Sequence, residues 1–418
     1  MILCYIFFAK RTSSNGIEKY PQLRFNGYSN PWTTQKLGNL GTFIKGAPLS
    51  KADISDEGNP FILYGELYTT YSEVTHSVKR KTDKTEEQQF YSKIGDVIMP
   101  TSGETPEDIA TASCIMLPDV ILAGDLLIYR TEQIDGRFVS YAIKNKVNKQ
   151  ISSVAQGKSV VHVRADELAK ICITFPALDE QKKILNLLEL LDTRIATQQS
   201  LIETLKKYKR GLLPDIFEQR LSFTSETDSA WKEVRLGDIC RYRRGSFPQP
   251  YGLPEWYDEE KGMPFIQVAD VTDSMSVNPD TNRHISDKAK KQSVYIPKGT
   301  LIITLQGTIG RVAITPYDAY IDRTLLIIQD IDKNILQEFL MYALYMKFSE
   351  EKQTADGSII KTITKETLTD FFIKVPPIKE QAKIVRVLMS LDTRIRNEEM
   401  LLTELYKCKS GLLQQLFI

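Results

Sequence analysis

The stretch EQKKILNLLELLDTRI, Glu180 to Ile195, returns as EQAKIVRVLMSLDTRI, Glu380 to Ile395, at a constant offset of 200 residues. The match runs from Pro176 to Phe217 against Pro376 to Phe417 and closes with KYKRGLLPDIF against KCKSGLLQQLF. An agreement of this length without a shift in register is an internal duplication, and its period is far too long for a solenoid. Apolar residues in the first copy fall at Ile184, Leu188, Leu191, Ile195, Ile202, Leu205 and Leu212. The second copy has Ile384, Leu388, Leu391, Ile395, Leu402, Leu405 and Leu412. Their steps alternate between four and three once Gln198 and Lys209, or Glu398 and Lys409, are admitted, which is the seam of a coiled coil. Two such helices in one chain are expected to pair with each other, antiparallel, about a pseudo-twofold axis. The polar interruptions are expected to fix the register. A helix of about 36 residues is about 55 Å long.

Each half also begins alike. WTTQKLGNLGTFIKG (Trp32 to Gly46) matches WKEVRLGDICRYRRG (Trp231 to Gly245), with Leu-Gly at the same distance from Trp. The segments before the helices, Gly157 to Pro176 and Gly357 to Pro376, share their spacing of Gly, Val/Ile, Leu and Pro. Between these ends PFILYGELYTTYSEV and PFIQVADVTDSMSV diverge after three residues. Short β-rich runs such as GDVIMP and GTLIITL, separated by turn residues, imply a compact mixed domain with a twisted sheet in each half. The expected fold is therefore mixed α/β (α+β), with two sheet domains separated by two long helices. The expected boundaries are an extension at 1–20, domains at 21–175 and 219–375, and helices at 176–218 and 376–418.

Bulk properties narrow the function. Formal charge is +1 over 418 residues, so nucleic-acid contact has to come from local basic patches. Five scattered cysteines without a C-x-x-C pair fit a reducing cytoplasm and argue against structural zinc. The apolar start MILCYIFFAK is shorter than the roughly 20 residues a membrane span needs, and reads as an extension or as residues upstream of the natural start. Catalytic signatures do not emerge. NPW at Asn30 and NPF at Asn59 lack the second proline of an adenine amino-methyltransferase loop. GKS at Gly157 lacks the first glycine of a phosphate loop, because Ser152 stands there. His76, His162 and His284 are isolated, so no metal or cofactor is expected.

FPALDEQKKILNLLELLDTRI and VPPIKEQAKIVRVLMSLDTRI resemble the P-P-L-x-E-Q-x-x-I helices of type I restriction–modification specificity subunits. PQLRFNGYSNPWTTQKLG and AWKEVRLGDI are similar to the starts of that family's target-recognition domains. Ala177 in place of a proline and Asn39 in place of aspartate are small departures. The resemblance implies a non-catalytic, cytoplasmic, DNA-binding subunit. Each half would read one part of a split double-stranded target, and the half-targets would differ because the interiors differ. The helices would hold the unread gap constant and dock two methyltransferase subunits, with restriction/translocase subunits joining that core; no membrane is involved. A specificity chain for a fused methylase-nuclease system and a coiled-coil protein-binding scaffold are the alternatives.

Candidate DNA contacts are the cations Arg241, Arg243 and Arg244 of RYRRGSFPQPYG, with Gln249 in the following loop, and Lys45 at the matching place in the first half. The Gly-containing turn TLQGTIGR offers Gln306, Thr308 and Arg311, opposite Thr101 and Ser102 in MPTSGETPED. Lys361 in KTITKETL is a weaker candidate, and Tyr68 and Tyr71 are better read as packing residues. Arginine suits phosphate or guanine.

Overall fold

The computed structural model describes residues 20–155, 161–223, 230–354 and 365–418. The N-terminal extension up to residue 19, the GKS tripeptide and Lys361 lie outside the described residues. The chain forms two compact units: residues up to Gln199 together with Met400–Ile418, and Ser200–Glu399. Both divisions fall inside long helices. The four helices used below are α1 (Gly136–Ala142), α2 (Leu178–Phe217), α3 (Gln337–Thr354) and α4 (Ile378–Leu416).

A strand pair closes the globular part of each unit where it starts and stops. Strand Thr33–Lys36 pairs antiparallel with Cys172–Phe175, and Lys232–Arg235 pairs the same way with Phe372–Val375. One helical turn follows in both, burying Leu37 and Leu40 or Leu236 and Ile239. The Leu-Gly shared by the halves has a steric cause here. A Cβ on Gly38 would stand 2.9 Å from the Ala169 Cβ, and one on Gly237 would stand 2.5 Å from the Thr369 Cγ2.

The sheets correspond as well. The first unit has a five-stranded sheet in the order Gly41–Lys45, Leu126–Thr131, Asp96–Pro100, Ser113–Ile115, Val74–Thr75. In the second, Arg241–Arg244, Leu325–Gln329, Leu301–Thr304 and Val312–Ile314 take the first four places. A second sheet is built around the shared Pro-Phe-Ile. Asn59–Leu63 runs parallel to Ile121–Ala123, and Met263–Ile266 runs parallel to Ala319–Ile321. The side strands then differ, with Arg80–Thr82 in one and His284–Ile285 with Val294–Ile296 in the other. Central strands such as Asp96–Pro100 and Leu301–Thr304 are buried on both faces, which explains their continuous apolar runs.

The duplicated helices complete the cores. Gln181 Oε1 accepts the Asp135 N–H at 2.9 Å while its Nε2 donates to the Pro176 carbonyl at 2.8 Å. Gln381 does the same with the Leu336 N–H at 2.8 Å and the Pro376 carbonyl at 2.9 Å. Ile184, Leu185 and Leu188 from the start of α2 share one core with Leu412, Leu413, Leu416 and Phe417 from the end of the chain. Leu212, Leu213 and Ile216 from the end of α2 share the other core with Ile384 and Leu388 from the start of α4. Seam positions are buried or half-buried throughout, including Leu191, Ile195, Ile202 and Leu205 and their counterparts Leu391, Ile395, Leu402 and Leu405.

The helices pair antiparallel within each unit. Advancing along α2 from Asp192 to Gln199, the partner on α4 moves back from Lys409 to Tyr406. In the second unit, advancing from Lys206 to Lys209 moves the partner back from Glu399 to Asp392.

Candidate nucleic-acid interface

Arg241, Arg243 and Arg244 occupy an outer strand of their sheet and are exposed, while Tyr242 between them is buried. Strand alternation puts Arg241 and Arg243 on one face. None of the three has an ion-pair partner among the described residues. They are solvated cations, the state in which arginine is ready for phosphate. Lys45, at the matching place in the first unit, is also exposed.

The turn after Leu301–Thr304 presents Gln306 and Thr308 to solvent, with Gly307 and Gly310 at φ of +71° and +76°. A Cβ on Gly310 would meet the Phe348 ring at 2.6 Å, so the turn lies hard against α3. Arg311 behaves differently. Its Nε donates to Asp273 Oδ1 at 2.6 Å and its Nη1 to the Val271 carbonyl at 2.8 Å, which ties the guanidinium to its own domain. Ser102 is buried and donates to Asp125 Oδ2 at 2.9 Å, and Thr101 is half-buried. Of the turn candidates, Gln306 and Thr308 therefore have free reach, whereas Ser102 and Arg311 are spent on internal contacts.

The fold brings together residues that the sequence reading did not group. In the second unit Gln267 Nε2 donates to the Tyr251 hydroxyl at 2.6 Å, and the Arg323 guanidinium lies 5.6 Å from the Tyr251 ring centre. The Tyr251 phenol is pushed up to about 12, first by burial and then by the Asp322 carboxylate. Val268, next to Gln267, stands 3.5 Å from where a Cβ on Gly307 would be, which places this cluster beside the Gln306–Thr308 turn. Gln249 lies two residues before Tyr251 and is exposed.

The first unit assembles the same three segments from different side chains. Tyr68 donates to the Ser102 carbonyl at 2.6 Å, stands edge-on to Tyr64 at 6.4 Å, and has its pKa raised chiefly by burial. The segments are held alike, by Thr101 N–H to the Asp125 carbonyl at 2.8 Å and Leu305 N–H to the Thr324 carbonyl at 2.9 Å. Gln267, Gln306 and Arg323 occupy one unit where Tyr68, Ser102 and Asp125 occupy the other, and Tyr251 joins the first set from a further loop after Arg241–Arg244. Sequence reading also passed over VKRKTDK, whose Lys79, Lys81 and Lys84 are exposed and whose Arg80 binds Glu66 at 3.0 Å. Four cations in six residues were a visible signal.

One frame built twice, with different polar side chains at the same three loops, defines an internally duplicated recognition protein with paired long helices. The chain belongs to the family of type I restriction modification DNA specificity domains, whose model matches it twice, over residues 29–207 and 228–407. It is similar to the type I restriction enzyme MjaVIII specificity subunit of Methanocaldococcus jannaschii, 22% identical over 412 residues and covering 92% of each chain. The fold resembles the crystal structure of a type I restriction–modification S subunit from M. genitalium, with a TM-score of 0.64 at 19% identity. That likeness covers 96% of this chain and 99% of the other. A second solved chain, from work on complex assembly and conformational transition of the type I restriction–modification system, gives 0.56 at 20% identity over 93% and 99%.

Proposed function

We propose that this chain is the DNA-sequence specificity subunit of a type I restriction–modification complex and reads an asymmetric, bipartite double-stranded target. The carrying observation is the pair of equivalent loop clusters, Gln267–Tyr251–Arg323 with Gln306 in one unit and Tyr64–Tyr68–Ser102–Asp125 in the other. Glutamine and arginine hydrogen-bond base edges in the major groove, while tyrosine contributes contact area and a single hydroxyl. Different donors on one frame imply different half-targets. Arg241, Arg243, Arg244 and Lys45 would grip phosphate and position each domain without specifying sequence.

Catalysis would reside in the partners, two methyltransferase subunits and the restriction/translocase subunits. Assembly is supported by the likeness to a chain solved as part of that system. Exposed apolar side chains on the outer faces of the long helices, Leu190, Met389, Met400 and Leu401, offer a surface for such partners. The test replaces residues 32–175 with those of a related chain and maps methylated sites. One half-target should change and the other stay. Two unchanged half-targets would reject the reading, and binding of partners without DNA would favour a protein scaffold.

A further inference from the structure

Asp322 is 2% exposed, and half of its carboxylate is unused. Oδ1 accepts the Thr324 N–H at 2.9 Å and the Thr324 hydroxyl at 2.5 Å, while Oδ2 is buried without a bonded donor. An unmatched carboxylate oxygen in the interior is costly, so stability gives no reason for an aspartate here. The first unit supports this. Both units pair a strand containing Pro-Phe-Ile with a parallel neighbour, Phe61 against Ile121 and Phe265 against Tyr320. Two residues further on, the first unit sets Leu63 against Ala123, both buried in an apolar cluster. The second unit has Gln267 and Asp322 at those places. Alanine therefore suffices for the frame, and the aspartate serves something that the first unit lacks.

Its neighbour is Tyr251. The Asp322 N–H donates to the Ile266 carbonyl at 3.0 Å, which sets the residue beside Gln267. Gln267 Nε2 in turn donates to the Tyr251 hydroxyl at 2.6 Å, and the Arg323 guanidinium lies over the same ring. After burial, the Asp322 charge is the next cause of the raised Tyr251 phenol, which keeps its proton at neutral pH. With one lone pair taken by Gln267, that hydroxyl has one proton to give and one lone pair left. The Asp322 carboxylate and the neutral Tyr257 phenol are both near it, and the ionised acceptor makes the stronger bond. Tyr251 itself is 43% exposed, so what its hydroxyl does not spend inward it can offer outward.

We propose that Asp322 is a positioning residue that draws the Tyr251 hydroxyl proton inward, so that Tyr251 shows DNA an acceptor and reads a base carrying an exocyclic amino group. In the major groove those groups are adenine N6 and cytosine N4. Guanine O6 and N7 and thymine O4 are acceptors themselves, and an outward lone pair repels them. The inference rests on the DNA-reading function above and concerns one position of one half-target.

The full chain, assembled with its methyltransferase partners, is assayed by methylation of libraries randomised in each half-target. Wild type should reject guanine and thymine at one position by at least about five-fold, and passage of adenine, cytosine or both there tells which amino group is read. In Asp322→Ala the hydroxyl is free to turn, and guanine or thymine should come within about five-fold of the native base. The other half-target should stay as in wild type. Tyr251→Phe should remove the same discrimination, and adding Asp322→Ala to it should change nothing more, because Asp322 acts through that hydroxyl. An aspartate with a merely structural role would weaken methylation of every site alike and leave base preference alone. Asp322→Ala with the wild-type base preference at every position overturns the proposal, as does a double variant that relaxes a position Tyr251→Phe leaves strict. If Asp322→Ala fails to fold, binding by wild type decides. Purine in place of adenine, or 2-pyrimidinone in place of cytosine, lacks only the amino group. At the position that Tyr251→Phe relaxes, this loss should weaken wild-type binding at least about five-fold more than it weakens binding by Tyr251→Phe, which controls for the altered base pair. Equal losses overturn the proposal, whereas a wild-type complex that methylates no bipartite site sinks the functional reading instead.

Discussion

Lys409 Nζ stands 2.7 Å from Asp192 Oδ1, and Lys209 pairs with Asp392 in the same way, each residue being the counterpart of the other pair's at an offset of 200 positions. Both lysines interrupt an apolar seam, and both find their carboxylate on the other long helix. A residue that weakens an isolated coiled coil thus becomes a specific contact here.

Stability in the first unit should depend on the last residues of the chain. Phe417 is 2% exposed, with its ring 4.8 Å from Phe138 and 6.4 Å from Tyr141. Phe417→Ala should cost about 3–5 kcal/mol. Hydrogen exchange should show the loss in residues 126–142 and leave the Phe339–Leu344 core protected.

Glu73 should make the first unit sensitive to acid. Burial works to raise its pKa, but the Lys409 and Lys144 ammoniums outweigh burial and hold it below the ordinary 4.5. A depressed carboxylate stabilises the fold above its unfolded pKa and loses that contribution as pH falls through the folded value. Glu73→Gln should therefore destabilise by about 1.5–3 kcal/mol at neutral pH. The gap to wild type, measured by urea unfolding, should close below pH 4.5.

Phosphate contacts and base contacts should separate by salt. Replacing Arg241, Arg243 or Arg244 by alanine should reduce the slope of log K against log salt by about 0.9 for each phosphate no longer neutralised. The mapped target sequence should stay the same, since phosphates carry no sequence information. A changed sequence with an unchanged slope would assign these arginines to bases.

Gln267→Ala or Arg323→Ala should relax one position of a single half-target, by about 1–3 kcal/mol of discrimination. Tyr68→Phe should leave that half-target alone and act on the other. Methylation of libraries randomised in each half-target measures both effects.

Much of this architecture was legible in the order of residues. The heptad steps from Ile184 to Leu212 and from Ile384 to Leu412 marked two pairing helices, and the shared Trp…Leu-Gly marked a strand and turn built alike in both halves. The turn TLQGTIGR was recognisable, yet the role of Arg311 was not. Its partners Asp273 and Val271 lie about forty residues earlier in the chain, and spacing along a chain does not report such contacts. The Ser102 contact was hidden for the same reason, its partner Asp125 being brought to it by the sheet.

By itself, the amino-acid sequence determined that the frame is doubled, that its two helices carry coiled-coil seams, and that its interiors differ. These are local or periodic properties, written in spacing and identity. Tertiary structure alone decided which half of each helix completes which core, that Lys409 and Lys209 meet Asp192 and Asp392, and that Tyr251, Gln267 and Arg323 stand together. Those contacts join positions far apart in the chain, and only the burial of apolar surface between distant segments selects them.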